Sequence, residues 1–266
     1  VNVFDGSTSF FRGRNRDGSR TTPFDIFSTG RDYTEATPWH YRFFAPHDVN
    51  GLIQLFGGRE QFIKALDDLF SLESDELTLD VSDVSGLKGQ YAHGNEPSHN
   101  FAYLYSYAGQ PWKTQELTRE LLDEMYDDTP DGIIGNEDCG QMSAWYVMSS
   151  LGFYSVCPGT GEYVLTTPLF DEAEMVMANG KVLTIKANNP ERNRYIKSVT
   201  LNGRPLTTTF ITYAQLLEGG VLEYELSREP VKDIDLELPY SLSTGEEASV
   251  PYTTSEFSLF IGSVDF

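Results

Sequence analysis

The chain of 266 residues carries 40 acidic against 19 basic side chains, a formal net charge of −21, and 13% of it is aromatic. Such an acid surplus repels phosphate backbones and anionic lipid surfaces, which excludes nucleic acid as a partner and leaves cations and neutral ligands. No apolar run reaches the ~20 residues of a membrane span, and the length admits one large domain or two ordinary ones.

Residues 1–34 are rich in Arg, Gly, Asp, Ser and Phe and show no helical period, so an ordered loop region is expected, with NRDGSR (15–20) as a turn. The chain starts at Val1 without a secretory leader, which reads as a processed product or an excised piece. Helical signals follow. PHDVNGLIQLFGG starts with Asp48 as N-cap and stops at Gly57. REQFIKALDDLFS puts Phe62, Ala65, Leu66 and Leu69 on one face at three and four spacing. EPSHNFAYLYSYAG is expected to be a helix capped by Asn95, with Pro97 in its first turn and Gly109 as its stop. PWKTQELTRELLDEMY aligns Leu117, Leu121 and Met125, and DCGQMSAWYVMSSLG ends at Gly152. Helices separated by long loops suggest an α/α toroid or bundle.

The period changes after residue 160. Two β-rich runs flank Asn179-Gly180, the same dipeptide recurs at 202–203, and Gly219-Gly220 separates further runs, so an antiparallel sandwich is expected. The fold class is therefore α+β multidomain: an α/α toroid or bundle over 1–158, then an antiparallel β-sandwich-like region over 159–266. Cys139 and Cys157 lack metal-type spacing, and whether they pair is open.

Three clusters in the helical half carry candidate chemistry. In YTEATPWHYRFFAPHD (33–48), Glu35 lies near Trp39; a carboxyl packed on that ring gains the raised pKa of a general acid, or else it is an exposed Glu beside a core Trp. In YAHGNEPSHN (91–100), His93, Asn95, Glu96 and His99 crowd a helix start. Their oxygens suit a hard cation such as calcium; the two histidines raise zinc but lack a third ligand. The alternative is Asn95 as a cap and His99 on a wet face. In GNEDCGQMSAWY (135–146), Glu137 and Asp138 stand between glycines ahead of an apolar helix. Asn136 or Asp138 can cap that helix. Equally, an acid on such a turn can activate water while a second carboxyl opposite protonates a leaving oxygen, the arrangement of glycosidases. No nucleophile elbow, phosphate loop or dinucleotide fingerprint is present.

YTEATPWHYRFFAPHDVNGLI, HGNEPSHNFAYLYSYAGQPWKTQ and DGIIGNEDCGQMSAWYVMSSLGFY, in that order, resemble family 92 of the glycoside hydrolases, the bacterial exo-acting α-mannosidases, over roughly residues 10–230. The resemblance implies an inverting, calcium-dependent removal of terminal α-linked mannose, α-1,2 above all, from mannans or N-glycans, in the periplasm or at the cell surface. It matches Glu35 to the general acid and Asp138, with Glu137 beside it, to the general-base region. Asn95 and Glu96 match the calcium segment. Trp39, His40, His93, Asn136 and His99 match the mannose pocket. It also implies that residues 1–158 are the later helices of a partial (α/α)6 toroid, and that an N-terminal β-sandwich and the earlier barrel helices of the same polypeptide are missing here, which would leave this chain weakly active or inactive. A non-catalytic glycan-binding or structural module on the same fold is the alternative.

Overall fold

The computed structural model describes residues 2–29, 32–73, 84–233 and 235–243. A short hairpin, β1 (Phe4–Asp5) and β2 (Phe10–Phe11), leads to the turn at 15–20, where Gly18 N donates to Asn15 O and the Asp17 carboxylate accepts from Ser19. Helices α1 (Pro38–Tyr41), α2 (Val49–Leu55) and α3 (Arg59–Ser71) follow. In α2 the Asp48 side chain caps the first turn, accepting from Gly51 N at 3.0 Å. In α3 the predicted face, Phe62, Ala65, Leu66 and Leu69, is buried.

Strands β3 (Leu87–Lys88) and β4 (Tyr91–Ala92) form a tight hairpin. The helix expected over 95–109 is broken: it consists of 3-10 turns at Glu96–Ser98 and Phe101–Tyr103 and a single α turn, α4 (Leu104–Tyr107). The Asn95 side chain caps none of them; its Nδ2 donates to the Glu35 carbonyl. Every residue from Phe101 to Ala108 is buried, so the segment has no polar face to organise a regular amphipathic helix. Helices α5 (Pro111–Glu124) and α6 (Gln141–Ser150) are regular. An aromatic core unites these elements: Phe43 stacks on Phe56 at 5.3 Å and meets Phe62 and Phe101 edge-on. The Arg42 guanidinium lies 4.3 Å from the Phe10 ring centre, and burial brings its pKa down to about 10.

The β-half comprises β5 (Phe153–Tyr154), β6 (Glu162–Leu165), β7 (Glu172–Val176), β8 (Val182–Ala187), β9 (Tyr195–Leu201), β10 (Arg204–Pro205), β11 (Phe210–Thr212), α7 (Tyr213–Glu218) and β12 (Gly220–Ser227). Both Asn-Gly sites are hairpin turns, and Asn202 (φ 52°) and Gly203 (φ 75°) adopt the left-handed pair that such turns need. Two expectations are corrected. The run before Gly219-Gly220 is the helix α7, closed by a Thr212–Gln215 capping box, and not a strand. The five-stranded sheet, ordered β10-β9-β12-β8-β7, is mixed, since β12 inserts between β9 and β8 and runs parallel to β8. Its inner residues Leu183, Ile185, Leu222 and Tyr224 share one apolar cluster with Phe153, Leu165 and Ile211 of the three-stranded sheet β11-β6-β5.

Direct bonds join the two halves. Arg119 donates to Pro168 O, Ile196 N to Gln115 Oε1, and Tyr224 Oη to Gly152 O. A second tie runs from the far end of the described chain. The Asp48 carboxylate accepts from Ser241 Oγ, Ser243 N and Ser243 Oγ as well as from Gly51, and Leu242 N donates to His47 O. Cys139 and Cys157 are both free thiols, and no helix among the described residues is long and apolar enough to cross a membrane.

Candidate functional site

The loops from the three clusters meet at one place. Asn95 is buried, and its Nδ2 donates to the Glu35 carbonyl at 2.8 Å, which fixes the loop ahead of α1 against the loop after β4. Gly135 brings in the third loop. A Cβ there would stand 2.5 Å from Ser85 Oγ and 3.4 Å from the Gly94 Cα, and φ is +73°, so only glycine allows this backbone approach. The acids then project from loops locked to the same hairpin. Glu35, Glu137, Asp138 and Asn136 are all exposed.

The backbone of these acids is unusual. Glu35 (φ 53°) and Asp138 (φ 52°) both adopt left-handed conformations, as does Cys139 (φ 58°). For a non-glycine residue this conformation costs about 1–2 kcal/mol, and such strain concentrates at functional loops. Asp138, Cys139 and Gly140 (φ 96°) form a left-handed run that reverses the chain directly into α6. Glu137 secures that reversal: its carboxylate accepts from Ser143 N at 3.0 Å and Ser143 Oγ at 2.9 Å, supplying acceptors for the exposed first turn of the helix. Helix capping is thus performed by Glu137, where Asn136 or Asp138 was expected. Glu35 is exposed and Trp39 is buried in the core, which is the alternative arrangement expected for that stretch.

Beneath the acids lies a buried layer of imidazole and aromatic rings. Trp39, His40, His93 and His99 are 4%, 0%, 0% and 2% exposed, so in this structure they underlie the site and do not line an open pocket. Tyr126 Oη donates to Met142 O at 3.1 Å, which uses its one proton. The His93 Nε2 at 2.7 Å from that oxygen is therefore the donor, and His93 Nδ1 accepts from Tyr91 Oη at 2.7 Å. His99 Nε2 donates to His93 O, and His99 Nδ1 accepts from Gln141 Nε2. Trp145 Nε1 closes the layer on His99 O. Burial holds these imidazoles neutral: the pKa of His93 falls to about 3 and that of His40 to about 4, and His99 shifts the same way. His40 Nδ1 in turn accepts from Thr37 N and sets the start of α1, close behind Glu35. Tyr126 and Gln141 were not singled out by the sequence, since their partners His93 and His99 lie 33 and 42 positions away; Tyr91 and Ser143, two and six positions from His93 and Glu137, carry no signal outside their hydrogen bonds.

Metal chemistry can be tested against these donors. Both ring nitrogens of His93 and of His99 are engaged in hydrogen bonds, which removes them as zinc ligands. Asn95 and Glu96 offer the hard oxygens that calcium prefers. Among the described residues, however, no cluster of three His, Cys, Asp or Glu is placed to hold a metal ion. Two residues supply fewer oxygens than the roughly six to eight that calcium takes.

Comparison with known proteins gives this arrangement a context. The model of the glycosyl hydrolase family 92 catalytic domain matches residues 1–228. A family GH92 α-mannosidase from Bacteroides thetaiotaomicron in complex with mannoimidazole superposes with a TM-score of 0.89 and 35% identity, over 97% of this chain and 35% of that one. A family GH92 inverting mannosidase from the same species gives a TM-score of 0.79 and 34% identity, over 90% of this chain and 34% of its own. An uncharacterized secreted glycosidase from Arthroderma benhamiae is 32% identical over 208 residues, which is 77% of this chain and 25% of that protein. The chain thus spans a quarter to about a third of the length of these relatives. It belongs to glycosyl hydrolase family 92.

Proposed function

We propose that this chain carries the acid and base loops of an α-mannosidase that removes terminal α-linked mannose, α-1,2 above all, from a mannose-containing glycan with inversion. The observation that carries the reading is that Glu35 and Asp138, the acids singled out by the motifs, both sit in left-handed backbone on loops pinned to the same hairpin through Asn95 and Gly135. Glu35 protonates the departing oxygen and Asp138 takes the proton of the attacking water, which calls for carboxyls separated by ~6.5–9.5 Å. Glu137 has both oxygens on Ser143, so it acts as the positioning residue of the pair and Asp138 as the base. Asn136, exposed beside them, is placed to reach sugar hydroxyls.

Calcium belongs to this proposal as a ligand held in part by Asn95 and Glu96; when bound it supplies a hard Lewis acid for vicinal sugar hydroxyls. The remaining ligands, and the other wall of the site, would come from further residues of the same polypeptide, including an N-terminal β-sandwich and the earlier helices of an (α/α)6 toroid. The coverage of about a third of the solved mannosidases supports that division. The description of the fungal relative as secreted supports a place outside the cytoplasm, periplasmic or at the cell surface.

Turnover of α-1,2-mannobiose by the longest available form of the protein tests the reading. Asp138→Asn should abolish most turnover and keep the fold. Unchanged rates in that variant would refute it, and glycan binding without turnover in the parent would mark a glycan-binding module instead.

A further inference from the structure

A groove of about 340 Å³ opens between α6 and the loop after α5. Two tyrosines in contact with each other make up one side of it: the Tyr126 and Tyr146 rings lie 4.9 Å apart at 47°, both half-buried. Val147, 52% exposed, adds an apolar floor, and the exposed carboxylates of Asp127 and Asp128 stand at the rim. Ser143 lines the same groove while it holds the Glu137 carboxylate, so the groove begins where the candidate base loop ends. Tyr126 is shared in the same way, since its hydroxyl bonds to His93.

We propose that this groove is an accessory sugar subsite, which takes a neutral pyranose of an oligosaccharide chain alongside the reacting mannoside. Inclined aromatic rings offer faces to the apolar C–H surface of a pyranose, and carboxylates at the edge accept hydrogen bonds from its hydroxyls. The volume lies within the usual range for a small-ligand site. The rim acids and the net charge of −21 disfavour anionic ligands. The assignment rests on the glycosidase reading for the identity of its ligand. Its consequence is a preference for extended glycans over single mannosides.

Titration calorimetry of the full chain with an α-linked mannotriose tests it. The parent protein is expected to bind, Tyr146→Ala to weaken binding at least tenfold, and Val147→Arg, at an exposed position that leaves folding intact, to block the groove to the same degree. Equal affinity in the parent, Tyr146→Ala and Val147→Arg overturns the proposal, as does no binding by the parent, or preferential binding of trilysine, which the acidic rim alone would capture. Turnover measured in parallel on the longest form of the protein separates the two readings: Tyr146-dependent binding without hydrolysis there upholds the groove and rejects the enzyme.

Discussion

Lowering the pH from 7 to 5 should destabilise the protein through its buried imidazoles before most carboxylates titrate. His93 and His40 have folded pKa values of about 3 and about 4 against an ordinary value of 6.5. A group with a depressed folded pKa contributes full stability above its unfolded value and loses it as pH falls, because the unfolded chain then binds a proton that the folded one refuses. Over this window each ring contributes a loss of about 2 kcal/mol, at ~1.4 kcal/mol per pH unit below 6.5. The pair together accounts for about 4 kcal/mol, a large part of the ~5–15 kcal/mol typical of a folded domain. His99 adds to it in the same direction. Thermal melts followed by circular dichroism should therefore show a fall of about 10 °C between pH 7 and pH 5. His93→Gln removes one titrating ring, so it should lower the melting temperature at pH 7 and flatten the pH slope. A melting temperature unchanged within 2 °C across the window, or an undiminished slope in the variant, would refute the reasoning.

Other outcomes follow from the loops. Glu137→Ala removes both acceptors of Ser143 and should cost about 1 kcal/mol, typical of a lost cap, read by urea denaturation; Glu137→Gln, which keeps one acceptor, should restore most of it. Asn95→Ala releases the Glu35 carbonyl and should reduce turnover of an α-mannoside more than it reduces stability, with kcat affected before KM. Gly89→Ala would place a methyl 2.6 Å from the Leu69 carbonyl oxygen at a φ of +58° and should prevent stable folding, visible as loss of soluble protein. Calcium at about 100 times its dissociation constant should raise stability by about 2.7 kcal/mol over a chelated sample, and Glu96→Gln should shrink that gain; equal melting temperatures with calcium and chelator would reject the ion.

Local signals were legible where the determinants lie close together in the chain. The face of α3, the Asp48 cap and the Asn-Gly turns each depend on residues within a few positions, and each stands as the pattern indicates. The segment after Asn95 was misread because its Tyr- and Phe-rich run is buried on all sides, which erases the amphipathic period. The placement of β12 beside β8 was invisible for a related reason: turn chemistry fixes neighbours in sequence and says nothing about which strand inserts later. The candidate acids could be picked out because they are grouped in recognisable motifs. Their supports could not: Ser143 has meaning only opposite Glu137, and Tyr126 only opposite His93, 33 positions away.

The knot at Asp48 bears on how the molecule comes apart. One carboxylate serves both as the start of α2 and as the mooring for residues 241–243, so a polypeptide cut short of Ser241 would keep every strand of the large sheet yet loosen a helix nearly two hundred positions earlier. Nicking the connection between the halves near residue 160 would not by itself set them free, since the returning tail still laces one to the other. Severing both places should be needed before they drift apart.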